Sequence, residues 1–251
     1  MHLCVNVGNT SVQYGLFDGQ RLRSSGNVPA ADVSASLFRT FLGETSPEVA
    51  LVASVAPSRS ASVLDAVRTA ADCEPLLAGA SLDVPIEVRV EAPERVGIDR
   101  LLNALAAHRR TNTQCIVVDV GTAVTIDVVT GSGAFCGGAI APGPALMVHA
   151  MHQGAELLPD IAFRRPQFVI GRNTEEAMLS GAFWATVGMV ERLIREVRGE
   201  LIGPARALGT GGAIRQVASY IPEIDAVVPE LTLEGLRIAF DESRRERTKR
   251  R

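Results

Sequence analysis

Aromatic side chains are scarce. One tryptophan, two tyrosines and eight phenylalanines make up 4% of 251 residues. So few rings leave little on which to stack bases, which argues against a platform for single-stranded nucleic acid. Basic excess is also missing: 25 Lys and Arg stand against 28 Asp and Glu, a net charge of -3, so nothing marks a nucleic-acid surface. The four cysteines, Cys4, Cys73, Cys115 and Cys136, are far apart and form no CxxC pair. That excludes a disulfide framework or a zinc ribbon and predicts small buried apolar residues in a reducing, cytoplasmic setting. No apolar run approaches the ~20 residues of a membrane span. MHLCVNVGNT lacks a basic segment followed by an apolar one, so no signal peptide is expected. The GxSxG, HExxH and GxxxxGK[ST] patterns of common hydrolases and P-loop enzymes are absent.

What is present is a chain 47% hydrophobic, ample for buried cores, and long enough for two compact domains of about 100–150 residues each. Residues 3–7 and 12–17 read as strands around a tight turn, with a third strand near 20–28 after Asp18-Gly19. Helical spacing follows at 31–43 and 60–71, with a buried strand at 49–55 between them and a short strand at 86–90. Leu101, Leu102, Leu105 and Ala106 form the apolar face of a helix beginning near Asp99. The pattern then restarts. Strands at 115–120 and 123–129 flank Gly121-Thr122, and a glycine-rich hairpin occupies 130–138. A long helix is predicted over 174–198, and 207–218 reads as strand, glycine turn, helix. Strands alternating with helices predict an α/β fold of two domains, 1–108 and 109–251, joined closely near 108–114. The last stretch, ESRRERTKRR, reads as a solvated basic tail.

The two halves share a unit. CVNVGNTSVQYGLF and VVDVGTAVTIDVV align with Asn6 over Asp119 and Gly8 over Gly121. In the first copy, glycine lets the backbone approach an oxyanion, and successive N–H groups with the Thr10 and Ser11 hydroxyls can cradle phosphate. An ordinary hairpin turn favours the same Asn and Gly residues. The second copy tips the balance, because a carboxylate, Asp119, interrupts an otherwise apolar strand. Gly97-Ile98-Asp99-Arg100 stands at the start of a helix, where Asp99 is either an N-cap or a general base beside a fixed guanidinium. Gly211-Gly212-Ala213 offers N–H groups to a nucleotide or merely joins a strand to a helix. Asn173 and Thr174, with Glu176, look like the cap of the long helix. His149 and His152 are three apart but lack an evident third metal ligand.

Six segments in order, VNVGNTSVQYGLFDG, PERVGIDRLLNALAA, VVDVGTAVTIDVV, GGAIAPG, IGRNTEEAMLSG and GTGGAI…PELTLEGLRIAF, resemble the type III pantothenate kinases from residue 2 to about 240. The resemblance implies a duplicated two-domain actin-like (ribonuclease H-like) fold, with mixed sheets flanked by helices and ATP between the domains. It implies phosphorylation of pantothenate to 4′-phosphopantothenate, the first step of coenzyme A biosynthesis, by a homodimer whose pantothenate pocket lies at or near the subunit interface. Asn6, Val7, Gly8, Asn9, Thr10, Ser11, Val12 and Gln13 would hold the ATP phosphates with Mg²⁺, while Thr122 touches ATP and Gly211 and Gly212 lie by the adenosine. Gly97, Ile98, Asp99, Arg100 and Thr174 would bind pantothenate, with Asp99 accepting the proton of its primary hydroxyl. Asp119 would bind a monovalent cation, K⁺ or NH₄⁺. One position departs from the family pattern: Asn6 stands where Asp-x-Gly-Asn-Thr is usual. It keeps an acceptor oxygen but loses the charge that attracts a hard cation. The alternative this leaves is a weakened or inactive binding paralogue.

Overall fold

The computed structural model of the chain describes residues 1–249. It divides into two compact units, one of Met1–Arg109 together with the segment from Leu231 onward, the other of Arg110–Glu230.

The first unit is built on a five-stranded mixed sheet of order β3-β2-β1-β4-β5. Strands β1 (His2–Val7), β2 (Ser11–Asp18) and β3 (Arg21–Pro29) run antiparallel, and β4 (Val49–Ser54) and β5 (Leu76–Leu77) continue parallel to β1. Alternation along β1 divides its side chains between two faces. Leu3, Val5 and Val7 join Val12, Tyr14, Ala50 and Val52 against α1 (Ala35–Leu42) and α2 (Pro57–Ala71). α1 opens where Ser34 Oγ accepts from Leu37 N at 3.2 Å, which shortens the helix predicted over 31–43. α2 begins three residues earlier than predicted, on Pro57, whose missing N–H costs nothing at a first helical position. α3 (Ile98–Thr111) buries Leu102 through His108. The strand predicted over 86–90 joins neither sheet. Its alternation survives as half-buried Ile86, Val88 and Val90 between exposed Glu87 and Arg89, and Leu76–Leu77 takes the edge position instead.

The second unit repeats the plan. β6 (Cys115–Val120), β7 (Ala123–Val129) and β8 (Phe135–Pro142) are antiparallel, and β9 (Arg206–Thr210) and β10 (Ala226–Val227) extend β6 in parallel. The sheet order, β10-β9-β6-β7-β8, mirrors that of the first sheet. α4 (Pro144–Gly154) follows β8. α5 (Thr174–Glu200) and the four-residue α6 (Ile214–Val217) bury Phe183, Val187, Val190, Ile194, Ile214 and Val217 against Ile116, Val118 and Ile126. Two mixed sheets of one topology, each flanked by helices, make the duplicated actin-like fold.

The chain passes from the first unit to the second inside the predicted 108–114 joint, but it then returns. α7 (Leu231–Lys249) belongs to the first unit and packs on its sheet, on the face that carries His2, Cys4 and Asn6. Phe240 meets the His2 ring edge-on at 5.1 Å, and Leu233 Cδ1 would lie 3.0 Å from a Cβ added at Gly15. Most of the predicted basic tail is therefore helix. Glu242 holds Arg109 through two bonds of 2.7 and 3.0 Å, and Arg244 lies over Phe240. Long-range pairing of these charges overrides a composition that suggests a solvated end. The last two residues of that tail, 250 and 251, lie outside the described residues.

Candidate active site

The β1–β2 register ends at Val7↔Val12, so Gly8–Ser11 form the turn. Gly8 N donates to Ser11 O at 3.0 Å, and Thr10 O accepts from Ala30 N at 2.9 Å. A Cβ at Gly8 would itself come within 3.0 Å of Ser11 O, so the loop is wound tightly at this point. Asn9 and Thr10 stand exposed at its tip, and Asn6 and Gln13 face one another at its base. Asn6 Oδ1 is buried and has no hydrogen-bond partner. An acceptor left without a donor costs about 1–3 kcal/mol, so this oxygen suits a donor that arrives with a ligand.

In the second unit the equivalent turn is one residue shorter, Val120↔Val124 being the last pair. Three glycines make the corner around it. Gly121 N donates to Ala123 O at 3.0 Å. Gly143, at the foot of α4, donates to Thr122 O at 3.0 Å, and a Cβ there would lie 2.1 Å from Gly121 O. Gly211 has φ +95°, and its Cβ would fall 2.3 Å from Asp119 Oδ1 and 2.6 Å from Val120 N. Ala213 N closes the corner on Val120 O at 2.9 Å. Thr122 and Gly212 remain exposed. Register places Thr125 and Thr210 on either side of Asp119, so the carboxylate lies in a row of hydroxyls on one sheet face. Thr125 Oγ1 is buried with no hydrogen-bond partner, an orphan oxygen beside a carboxylate that suits a hard cation.

Asp99 lies in the first turn of α3 but does not serve as its N-cap. The Gly97 carbonyl has that role, accepting from Arg100 N at 3.1 Å and Leu101 N at 3.3 Å. Asp99 Oδ1 folds back to accept from Arg100 N at 2.8 Å. Any Cβ at position 97 would sit 2.7 Å from that oxygen, so glycine keeps room for the carboxylate. Burial pushes the Asp99 carboxyl above its ordinary value, and the Arg100 N–H and guanidinium only partly oppose this. Ile98 is half-buried beneath it, with Gly79 close to its Cδ1. Thr174 is exposed at the start of α5, behind the cap in which Asn173 Oδ1 accepts from Glu176 N at 2.8 Å. Glu176 reaches back to Arg172 N at 2.8 Å.

The predicted residues thus lie in four places: Asn6–Gln13, Gly97–Arg100, Thr174 at the start of α5, and Asp119 with Thr122, Gly211 and Gly212. The helix behind Gly211–Ala213 is only four residues long, so what that turn supplies is close backbone approach and not a strong helix dipole. Gly143 and Thr125 were missed. Gly-Pro at the start of α4 and the symmetric placing of Asp119 and Thr125 about the Gly121-Thr122 turn were their signals. Among the described residues, no group of three or more His, Cys, Asp or Glu side chains is placed to hold a metal ion. His152 Nδ1 instead lies 2.8 Å from Leu158 O.

The family model for type III pantothenate kinases matches residues 2–196. A type III pantothenate kinase from Acidiphilium cryptum (strain JF-5) is 39% identical over 249 residues, spanning 95% of this chain and 93% of the relative. One from Thermomicrobium roseum is 38% identical over 255 residues, covering 98% of each. Among solved structures, a protein described as a conserved Baf family transcriptional activator from Campylobacter jejuni superposes with a TM-score of 0.60 at 18% identity. That match covers 97% of this chain and 99% of the other. Ethanolamine utilization protein EutJ from Carboxydothermus hydrogenoformans gives a TM-score of 0.52 at 15% identity, over 94% and 88% of the two chains. At such identities the two structures speak to the fold alone.

Proposed function

The chain belongs to the type III pantothenate kinases, which phosphorylate pantothenate with ATP in coenzyme A biosynthesis, and we propose that Asp99 is its general base. The observation that carries this assignment is a half-buried carboxyl, raised by burial, held in the first turn of α3 next to Arg100. A base with a raised value is better matched to taking a hydroxyl proton near neutral pH. The pantothenate primary hydroxyl gives its proton to Asp99 as its oxygen bonds to the γ-phosphorus, and the bond to the ADP oxygen breaks. Phosphoryl transfer needs positioning and charge neutralisation more than covalent catalysis.

Residues 6–13 hold the phosphates through turn N–H groups and the Thr10 and Ser11 hydroxyls. Thr122, Gly211 and Gly212 take the remainder of the nucleotide at the glycine corner. Gly97–Arg100 and Thr174 take pantothenate, and a guanidinium such as that of Arg100 can hold a carboxylate. Asn6 would receive Mg²⁺ with ATP through its orphan acceptor oxygen, which fits a metal-bound water. When bound, that ion neutralises phosphate charge. Asp119 and Thr125 would hold K⁺ or NH₄⁺, which supplies positive charge at the nucleotide side.

Self-association into a homodimer is supported by exposed apolar side chains on the second unit, Leu157, Phe168, Val169 and Ile170. We assign the enzyme to the cytoplasm, with its nucleotide substrate. No helix of the described residues is long and apolar enough to cross a membrane. Kinship of this extent favours catalysis over a non-catalytic paralogue.

The test is ADP release from purified protein with ATP, pantothenate and Mg²⁺, with and without K⁺. Turnover that needs pantothenate and rises with K⁺ supports the assignment. No turnover from folded protein refutes it.

A further inference from the structure

α3 and α7 cross within the first unit, and the crossing lies one helical turn from the proposed base. Gly235 makes the close approach, since a Cβ there would stand 2.3 Å from Leu102 O. Beside it, Thr232 Oγ1 donates to Asn103 Oδ1 at 2.7 Å. Both residues are buried, Asn103 at 1% and Thr232 at 4% exposure, among Leu102, Leu231, Leu233 and Leu236. A polar bond enclosed by apolar side chains is directional where its neighbours are not. Leucines can slide by a fraction of an ångström at little cost, whereas the hydroxyl–amide bond fixes one register.

Asn103 lies four residues after Asp99, hence on the same side of α3. Asp99 itself accepts from the backbone of its own turn, at Arg100 N. The axial position and rotation of α3 therefore set where the carboxylate stands, and Thr232 of α7 offers that helix a directional contact one turn from Asp99. A second tie between the same helices, Arg109 to Glu242, is partly exposed and six residues further on. It stabilises the pair without fixing the first turn.

We propose that Thr232 and Asn103 are positioning residues for Asp99, setting the placement of the carboxylate through the α7–α3 bond. The kinetic part rests on the pantothenate kinase reading above, while the titration part does not.

The experiment compares wild type with Thr232→Val, which keeps the shape and removes the donor, Thr232→Ser, which restores it, and Glu242→Gln, which loosens the outer tie. Two readouts are taken: steady-state ADP release, and the titration midpoint of the Asp99 carboxyl by ¹³C NMR, its resonance assigned with Asp99→Asn. Thr232→Val is expected to lower kcat by roughly tenfold to a hundredfold, as small misplacements of reacting groups do. KM for ATP should move less, and the Asp99 midpoint should shift. Serine should recover both readouts, and Glu242→Gln should lower Tm while leaving the midpoint in place. If Thr232→Val keeps the wild-type midpoint, the positioning role is wrong whatever happens to Tm. If neither Thr232→Val nor Thr232→Ala folds, the hydroxyl is structural and the proposal also falls. A wild type that does not turn over pantothenate refutes the function reading alone, since the midpoint is measured without substrate.

Discussion

Replacing Asp99 by asparagine should move activity and stability in opposite directions. The amide keeps the size of the side chain and an Oδ1 able to accept from Arg100 N, so the α3 turn survives. What it loses is the ability to take a proton. Removing a positioned general base costs about 10²–10⁴ in rate, or roughly 3–5 kcal/mol of barrier. For stability two effects compete. A carboxylate in a first helical turn gains about 0.3–1 kcal/mol from the helix dipole, which asparagine gives up. Burial of the charge opposes this, and the raised carboxyl value means that burial outweighs the dipole and the Arg100 contacts together. The sign with pH follows. An acid raised in the folded state gives up its proton earlier when unfolded, so stability is greatest below the unfolded value. It falls as pH climbs to the folded value, then stays low. The amide variant has no such loss. Its melting temperature should match wild type in acid and exceed it increasingly toward neutral pH. Scanning fluorimetry across that range, beside an ADP-release assay, reads both. A variant retaining a tenth of wild-type turnover would refute the base assignment. A melting difference that does not change with pH would refute the burial reasoning.

Gly211→Ala should lose about 2–4 kcal/mol of stability, from a positive φ and a Cβ 2.3 Å from Asp119 Oδ1, and should weaken nucleotide binding as read by calorimetry. Asn6→Asp restores a charge at the phosphate turn, so the Mg²⁺ concentration for half-maximal turnover should fall by about tenfold, one charged contact's worth of ~1.4 kcal/mol. An unchanged Mg²⁺ requirement would count against a role for position 6 in receiving the ion. Phe168→Asp with Ile170→Asp should shift the protein toward monomer in light scattering while its circular dichroism stays the same. Dimer retention would place the interface elsewhere.

The duplicated turn was legible because all its determinants are local. In each copy the turn glycine, the flanking valines and the Asn6 or Asp119 position lie within about fifteen residues, and antiparallel hairpins need nothing further to set their register. Asp99 could be singled out from spacing, but its role could not be decided there. Only the backbone shows that Gly97 caps the helix, leaving the carboxylate free of that duty. The homing of α7 onto the first sheet was hidden. Its partners, Arg109 and Asn103, stand more than a hundred residues earlier, and a run of arginines near a chain end looks solvated until Glu242 and Phe240 are seen to engage it. The strand expected at 86–90 failed for the complementary reason. Alternation reports which side chains are covered, and half-burial outside a sheet produces the same period as a sheet edge.

The return of α7 also bears on how the molecule is made. Arg110–Glu230 leaves the ribosome as one uninterrupted stretch containing all five of its strands, so the second unit can close as soon as it has been translated. The first unit begins earlier but is completed later, because Leu231 and the residues after it follow the whole of the second unit. Until then the sheet face bearing Asn6 is uncovered and α3 lacks the partner that crosses it. A nascent chain, or a product cut short between residues 110 and 230, thus carries the phosphate turn and the base in an unfinished half.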